Sequence, residues 1–288
     1  MSLKNLNVSN KTHKFLLDKL KNNKIFQIYK TFEKNLNLNE NFIVGVSGGP
    51  DSLALSFLAK VYSIKKSLNV RYLMVDHKLR DNSSSEAKFV KKILRKFSIK
   101  LDILRWNGKK PRNNIQSIAR AKRYALLKKQ SKKLKINHIL LGHHKDDLME
   151  NFFIRILRGS GLNGMISFDK KSVNYDLNII RPLLKFSKQD LLFISKNVFN
   201  FYIEDPSNEN KIFQRVKIRN LIKKLQSEGL DAKKFDLTIN NLKFANDSIK
   251  FYTKMNIINN SNSSNNKKSI MLNKEFFNQP EEVVFRSL

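Results

Sequence analysis

The chain of 288 residues predicts an α/β fold, a doubly wound parallel sheet followed by a small, mainly helical C-terminal region. Three observations predict it. Between Phe42 and Val198 short apolar runs alternate with helix-length segments, as parallel strands joined by crossover helices do. The first run, FIVGVSGGPDS (Phe42–Ser52), empties an apolar strand into a glycine-rich turn that opens a helix. Beyond Phe213 the spacing of apolar residues turns helical.

Taken in order, residues 1–40 are expected as a helical lead-in, with Phe15, Leu16, Leu20, Ile25, Ile28 and Phe32 spaced as one helical face. The main domain is expected over residues 41–228. Its first strand carries Phe42, Ile43, Val44 and Val46, and Leu53 to Val61 continue as an apolar helix. A strand at Val70 to Val75, a helix at Ser84 to Phe97 and a strand at Leu101 to Leu104 follow. Next come a helix from Asn114 to Leu134, a strand at His138 to Leu141 and a helix from Asp146 to Leu157. Ile179 to Leu184 supply a further strand and Ser187 to Val198 a further helix. The polar run EDPSNEN (Glu204–Asn210) reads as a turn-rich break. Helices are expected at Phe213 to Leu225 and Phe235 to Met255, with a domain boundary near Glu228 to Leu230. In the C-terminal region, 229–288, an Asn/Ser/Lys run (Asn259–Lys268) reads as a flexible loop before a short strand and helix.

The glycine-rich turn reads as a phosphate cradle. Gly48 and Gly49 let the backbone turn and approach an anion, Pro50 opens the helix, and the free N–H groups there favour negative charge. No lysine follows the glycines, so this is not a Walker A loop. Hydroxyls of Ser47 and Ser52 are available to phosphate oxygens. Asp51 beside a polyphosphate is repulsive unless a cation bridges them, which makes it a candidate magnesium contact. The bland alternative is an ordinary Gly-Gly, Pro-Asp turn.

Other constellations follow strand ends. After the second strand, VDHKLR sets His77 and Arg80 at the ligand-facing edge, and Ser83 to Ser85 with Glu86 fit a helix N-cap. In IQSIARAKRYALL, Arg120, Arg123 and Tyr124 share one side of a helix; a guanidinium there suits charge on a reacting phosphate, or the row is a solvated basic face. In LLGHHKDDLMENFFIRILRGSGLNG, Asp147 and Glu150 share a helical face, to hold a metal or accept a proton, while Asp146 and Asp147 also serve as helix caps. Adjacent His143 and His144 do not face each other on a regular element, which argues against a structural zinc.

Composition narrows the class. Lys and Arg number 56 against 24 Asp and Glu, leaving a net charge of +32 that fits a polyanion partner, with compositional drift toward Lys and Asn as the alternative source. Cysteine is absent. No signal-like opening and no apolar stretch of membrane-spanning length are seen, so a cytoplasmic protein without a membrane partner is expected.

The SGGPDS sextet resembles the SGGxDS signature of the N-type ATP pyrophosphatases, the PP-loop superfamily, which cleave ATP to AMP and pyrophosphate while adenylating a substrate. The resemblance implies an adenine nucleotide alpha hydrolase-like fold. Thiolases of that superfamily carry sulfur or iron–sulfur clusters on cysteine, a route this chain cannot take with its own thiols. With DHKLR, ARAKRY, GHHKDDLMENFFIRILRGSGLNG, IIRPLL and YIEDPSNENKIFQRVKIRNLI in order, residues 42–221 resemble the tRNA(Ile)-lysidine synthase family. That resemblance implies ATP and magnesium as cofactors, with free L-lysine and an isoleucine tRNA of anticodon CAU as substrates. The wobble cytidine is adenylated at its carbon-2 oxygen with loss of pyrophosphate, and the lysine ε-amine then displaces AMP.

The residue roles fit that chemistry. Ser47, Gly48, Gly49, Pro50, Asp51 and Ser52 would hold phosphates, with His77 at the nucleotide and Asp51 with Asp147 on magnesium. Arg123 would stabilise charge at the α-phosphate. Glu150 would complete the metal shell or serve the lysine ammonium. Arg80, Arg158, Ser160, Arg215 and Arg219 would contact RNA, or form solvated basic faces. Two departures stand out: a short C-terminal portion beside the longer members, and an Asn/Ser run that matches no motif. The rivals are a small-molecule amide synthase of the same superfamily and a non-enzymatic RNA-binding protein. The oligomeric state stays open, a dimer included.

Overall fold

The structure, a computed structural model, describes residues 13–108, 113–174, 177–204, 214–263 and 269–288. Residues 13–18 are helical (α1), and a 3-10 turn at Lys19–Lys21 separates them from α2 (Asn23–Leu36). The alternating part then runs β1 (Phe42–Val46), α3 (Pro50–Lys66), β2 (Val70–Asp76), α4 (Ser83–Lys96), β3 (Leu101–Arg105), α5 (Ile115–Leu134), β4 (His138–Leu140) and α6 (Lys145–Ile156). It continues through α7 (Leu162–Ile166), β5 (Lys171–Asn174), β6 (Leu177–Ile180) and α8 (Lys188–Phe199). Then come α9 (Gln214–Ser227), α10 (Ala232–Asn260), β7 (Ser261–Ser263), β8 (Ile270–Leu272), α11 (Lys274–Phe277) and α12 (Glu281–Ser287).

The six-stranded sheet has the order β3-β2-β1-β4-β6-β5. All its pairings are parallel except β5 with β6, which close an antiparallel hairpin at one edge. Strand order reverses direction between β1 and β4, and the crevice at the carboxyl ends of those two strands is where such sheets take ligands.

Both faces of the sheet are covered. Phe42, Val44 and Val46 of β1 pack in one apolar cluster with residues of α2, α3, α4 and α8, whereas Ile43 points to the other face with Leu73, Tyr124, Leu127 and Ile139. This period-two alternation with both sets apolar is why β1 reads as a continuous apolar run. Buried side chains such as Phe57 and Leu58 on α3 each contribute ~1.5–3 kcal/mol. The Tyr62 hydroxyl ties α3 to the chain entering β1, donating to the Leu38 carbonyl at 2.9 Å and accepting from the Leu38 N–H at 3.0 Å.

The chain divides into two units. The first takes the chain up to Glu150 and again over Phe168–Val216; the second comprises Asn151–Ser167 and Lys217–Leu288. Within the second, α10 packs with α7, α11 and α12 around buried Phe235, Ile239, Phe276 and Val283, and Phe152 meets Phe235 edge to face at 5.4 Å. The boundary expected near Glu228 to Leu230 falls inside this unit, at the turn between α9 and α10. No helix of the described residues is long and apolar enough to cross a membrane.

Several local expectations are corrected. The N-terminal apolar face is not one helix, because the Asn22 side chain accepts from the Ile25 N–H and starts α2 afresh, leaving Phe15 exposed. The last sheet strand begins and ends earlier than Ile179 to Leu184, because Pro182 cannot donate to a ladder; Leu177 to Ile180 form it, and β5 was not anticipated. The Asn259–Lys268 run is not simply a loop: Asn259 and Asn260 end α10, Ser261 to Ser263 pair with Ile270 to Leu272, and residues 264–268 lie outside the described residues. EDPSNEN, after Glu204, also lies outside them.

Ser83 and Ser84 do not cap α4 through its own N–H groups. Their hydroxyls donate to buried Asp76 at the end of β2, at 3.0 and 2.5 Å, and the Lys78 N–H adds a third bond at 3.0 Å. Burial pushes the Asp76 carboxyl up, but the Ser84, Lys78 and Ser83 bonds together outweigh it and hold the group below the usual carboxylate range. A depressed folded pKa stabilises above the unfolded value, and the benefit is lost as pH falls through the folded value. Asp76→Asn is therefore expected to cost about 1–3 kcal/mol at pH 7. In melting curves taken down the pH scale, the gap between variant and parent should close in acid, below the ordinary Asp range near 4; a gap independent of pH would refute this account.

Candidate active site

The turn after β1 is built around one hydroxyl. Ser52 Oγ accepts the N–H of Ser47 and of Gly48, each at 3.1 Å, and donates to the Gly49 carbonyl at 3.0 Å. The loop is thus closed by its own last serine, which is 5% exposed, so its proton is engaged within the loop, unlike the free donor expected from sequence. Ser47 Oγ, 3.1 Å from Ser52 Oγ, remains on the more open side. Gly48 needs to be glycine: its φ is +89°, and a Cβ there would come within 2.8 Å of Ile203 and 2.9 Å of Val90. Gly49, with φ −72°, is the N-cap of α3 without a side-chain cap bond, and Pro50 occupies the first turn. The positive end of a 17-residue helix therefore faces the crevice.

Across the switch point, β4 is followed by Gly142, where a Cβ would lie 3.2 Å from the Asp51 carbonyl and the Ser52 nitrogen. The glycine gives the two motifs this close approach without a shift of backbone. It brings HHKDD against the phosphate loop: His144 Nε2 stands 3.7 Å from Asp51 Oδ2 and 3.6 Å from Asp147 Oδ2. The His144 N–H also donates to Asp147 Oδ2 at 3.0 Å, so Asp147 closes the first turn of α6 and faces the crevice at once. Burial, helped by Asp147, pushes the Asp51 carboxyl above its ordinary value against the pull of His144 and Lys188. For Asp147 burial acts upward too, but His144, His143, the backbone bond and Arg215 win, and its carboxyl is held low.

Two carboxylates of unlike proton affinity flank one point. Asp51 Oδ1 is buried and meets no hydrogen-bond partner among the described residues. Among them no group of three or more His, Cys, Asp and Glu forms a ready metal cage. Two carboxylates suit magnesium, which takes most of its shell from water and phosphate, so Asp51 and Asp147 fit that ion. Glu150 is 4% exposed, one helical turn beyond Asp147 on α6.

The walls come from three strand ends. His143 is partly buried, with Nδ1 enclosed, and its proton affinity is driven down mainly by desolvation, with Arg181, Arg120 and Arg215 adding to the effect against Asp147. Its ring meets Phe168 edge to face at 5.1 Å, and the Arg181 guanidinium lies 4.6 Å above the same Phe168 ring. Arg181, 3% exposed, donates to the Asp169 carbonyl and Ser172 Oγ; IIRPLL thereby supplies a wall of the crevice. On the opposite side, the His77 imidazole receives Arg123 Nε at 3.5 Å and packs edge-on to Trp106. Burial, then Arg123, push His77 down to about 4 against Asp76, so it is neutral at pH 7.

The remaining sequence candidates are dispersed. Arg80 pairs with Glu86 at 2.8 Å on the surface, and Arg120 lies over the Tyr124 ring at 5.1 Å. Arg215 belongs to the first unit, exposed and close enough for its charge to act on His143 and Asp147. Arg158, Ser160 and Arg219 belong to the second unit. Sequence reasoning missed His144, Trp106 and Arg181 as parts of the site. The sequence marks the adjacent histidines only as candidate zinc ligands, and nothing in a one-dimensional pattern shows that the segments following β4 and β6 bridge at His144 and Leu183.

With this geometry in view, comparison with known proteins is informative. A PP-loop domain family profile matches residues 18–225. The chain is 41% identical over 187 residues to the tRNA(Ile)-lysidine synthase of Orientia tsutsugamushi (strain Boryong), covering 65% of this chain and 42% of that protein. It is 34% identical to the tRNA(Ile)-lysidine synthase of Wolbachia pipientis wMel, covering 87% of this chain and 58% of that one. The chain thus spans about half the length of the curated relatives it matches. A solved structure of U34-tRNA thiolase NcsA from Methanococcus maripaludis superposes with a TM-score of 0.66 at 17% identity, covering 77% of this chain and 78% of that one. That likeness bears out the adenine nucleotide alpha hydrolase-like fold. Since the glycine turn, the β4 motif and the crevice between them all lie inside the matched span, the chain belongs to the PP-loop domain family.

Proposed function

We propose that this chain is a tRNA(Ile)-lysidine synthase, which joins free L-lysine to the wobble cytidine of the CAU-anticodon isoleucine tRNA and splits ATP to AMP and pyrophosphate. The observation that carries the reading is the convergence of Asp51 and Asp147 on one point beside the helix-capped phosphate turn. The names of the relatives support it, as does a charge of +32, suited to an RNA substrate in the cytoplasm.

In this reading the N–H groups at the start of α3, with Ser47 Oγ, receive the ATP polyphosphate, while Ser52 keeps the turn in shape. Asp51 and Asp147 would hold magnesium, which supplies charge neutralisation on the phosphates when bound. Arg123, oriented by neutral His77, offers a rigid fork to charge gathering on the α-phosphate as the cytidine oxygen attacks. The lysine ε-ammonium must lose a proton before it can displace AMP, and Glu150 is the nearby buried carboxylate to take it. Arg80, Arg158, Ser160, Arg215 and Arg219 are the proposed RNA contacts.

Incubation with ATP, magnesium, radiolabelled lysine and the CAU-anticodon tRNA should give labelled tRNA with AMP and pyrophosphate. Release of ADP and phosphate, or activation of a small acid without tRNA, would overturn the assignment in favour of another ATP-using reaction.

Asp147→Asn and Glu150→Gln keep shape and remove charge, so each should lower turnover at least about a hundredfold with folding nearly unchanged. Single-turnover assays separate the roles. With Glu150 at the lysine amine, Glu150→Gln still releases pyrophosphate and accumulates adenylated tRNA; with Glu150 in the metal shell, both half-reactions fail. Near-normal lysidine formation by both variants would leave this pair as helix-capping residues.

RNA affinity should fall steeply from low to moderate salt, because Lys and Arg displace counterions on meeting phosphate. Binding insensitive to salt would assign the basic excess to compositional drift.

A further inference from the structure

His144 has no part in the roles above, yet it is buried at the crevice, 5% exposed. Its Nδ1 accepts the N–H of Asp146 at 3.2 Å. A ring nitrogen that accepts a hydrogen bond carries no proton, which assigns the proton to Nε2. Nε2 stands almost equally far from two carboxylate oxygens, 3.7 Å from Asp51 and 3.6 Å from Asp147. The Asp146 carboxylate is 3.8 Å from Nδ1 and half exposed to water, so it does not compete for this arrangement. The Asp146 N–H orients the ring, while the backbone of His144 is fixed by its N–H bond to Asp147 and by the β-bridge to Leu183.

Like charges that are largely removed from water repel and would drift apart without a donor between them. We propose that His144 is a positioning residue: its Nε2–H, within 4 Å of both carboxylates but bonded to neither, offsets the repulsion between Asp51 and Asp147 by its dipole and keeps them close together, so that a divalent cation arriving with the nucleotide meets them preassembled. The inference rests on the reading of Asp51 and Asp147 as cation contacts.

Two substitutions separate this role from packing. The amide nitrogen of His144→Gln reaches the place of Nε2 and can restore the donor. His144→Asn restores the acceptor for the Asp146 N–H and leaves no donor between the carboxylates. Calorimetric binding of Mn2+ to the full chain with α,β-methylene ATP, without tRNA or lysine, reads the site independently of turnover. His144→Asn should weaken Mn2+ binding about ten- to a hundredfold, the range for partners that orient metal ligands, with His144→Gln within about threefold of the parent. Binding of the nucleotide without metal should be the same in all three. Equal losses in both variants, or no loss in either, would overturn the proposal. Should melting curves show that His144→Asn does not fold, His144→Met, of similar bulk and also without a donor, takes its place under the same criteria. A parent chain that loads no Mn2+ with the nucleotide would refute the cation reading itself, and the proposal with it; this result is distinct from equal behaviour of the two variants.

Discussion

The crevice depends on the approach of Gly142 to the Asp51–Ser52 peptide. A single methyl group there would sit 3.2 Å from backbone atoms at the start of α3, and would need that backbone to give by a few tenths of an ångström. This contact sets how near the end of β4 comes to the turn after β1. Everything acidic in the site follows from it, because Asp51 lies in the first turn of α3, and His144 and Asp147 lie just past Gly142.

Around that contact, backbone and hydroxyl groups do the work of shaping, and charged groups are left for chemistry. Ser52 closes the phosphate turn, and Asp76 with Ser83 and Ser84 closes the next strand-to-helix junction. Both are short polar clusters whose donors and acceptors satisfy one another, so they confer rigidity without an uncompensated burial cost. Rigid junctions at neighbouring strand ends then present His77, Asp51 and His144 at fixed places along one edge of the sheet.

The electrostatics are polarised across the same edge. Asp51 and Asp147 lie near one another, one held above and the other below the ordinary carboxylate range, while His77 and His143 are kept neutral by burial and by the arginines around them. Neutral imidazoles among guanidinium groups can accept hydrogen bonds without adding to the positive field. Arg120, Arg123, Arg181, Lys188 and Arg215 are among the groups that supply positive charge toward a polyanionic ligand.

The sequence by itself determined the sheet class, the position of β1 and its glycine turn, and the pairing of Asp147 with Glu150 on one helical face. These are local matters: period-two apolar runs, the conformational freedom of Gly48, and helical spacing are all written in consecutive residues. It also marked Asp51 and Asp147 as partners, through resemblance to a family in which such motifs occur together. Tertiary structure alone decided that Ser52 would close the loop, that Arg80 would pair with Glu86, and that IIRPLL would line a wall through Arg181 and Phe168. Only the fold showed His144 between the two acids, because that position depends on β4 lying beside β1 with 94 intervening residues between Gly48 and His143, a relation no spacing in the chain encodes.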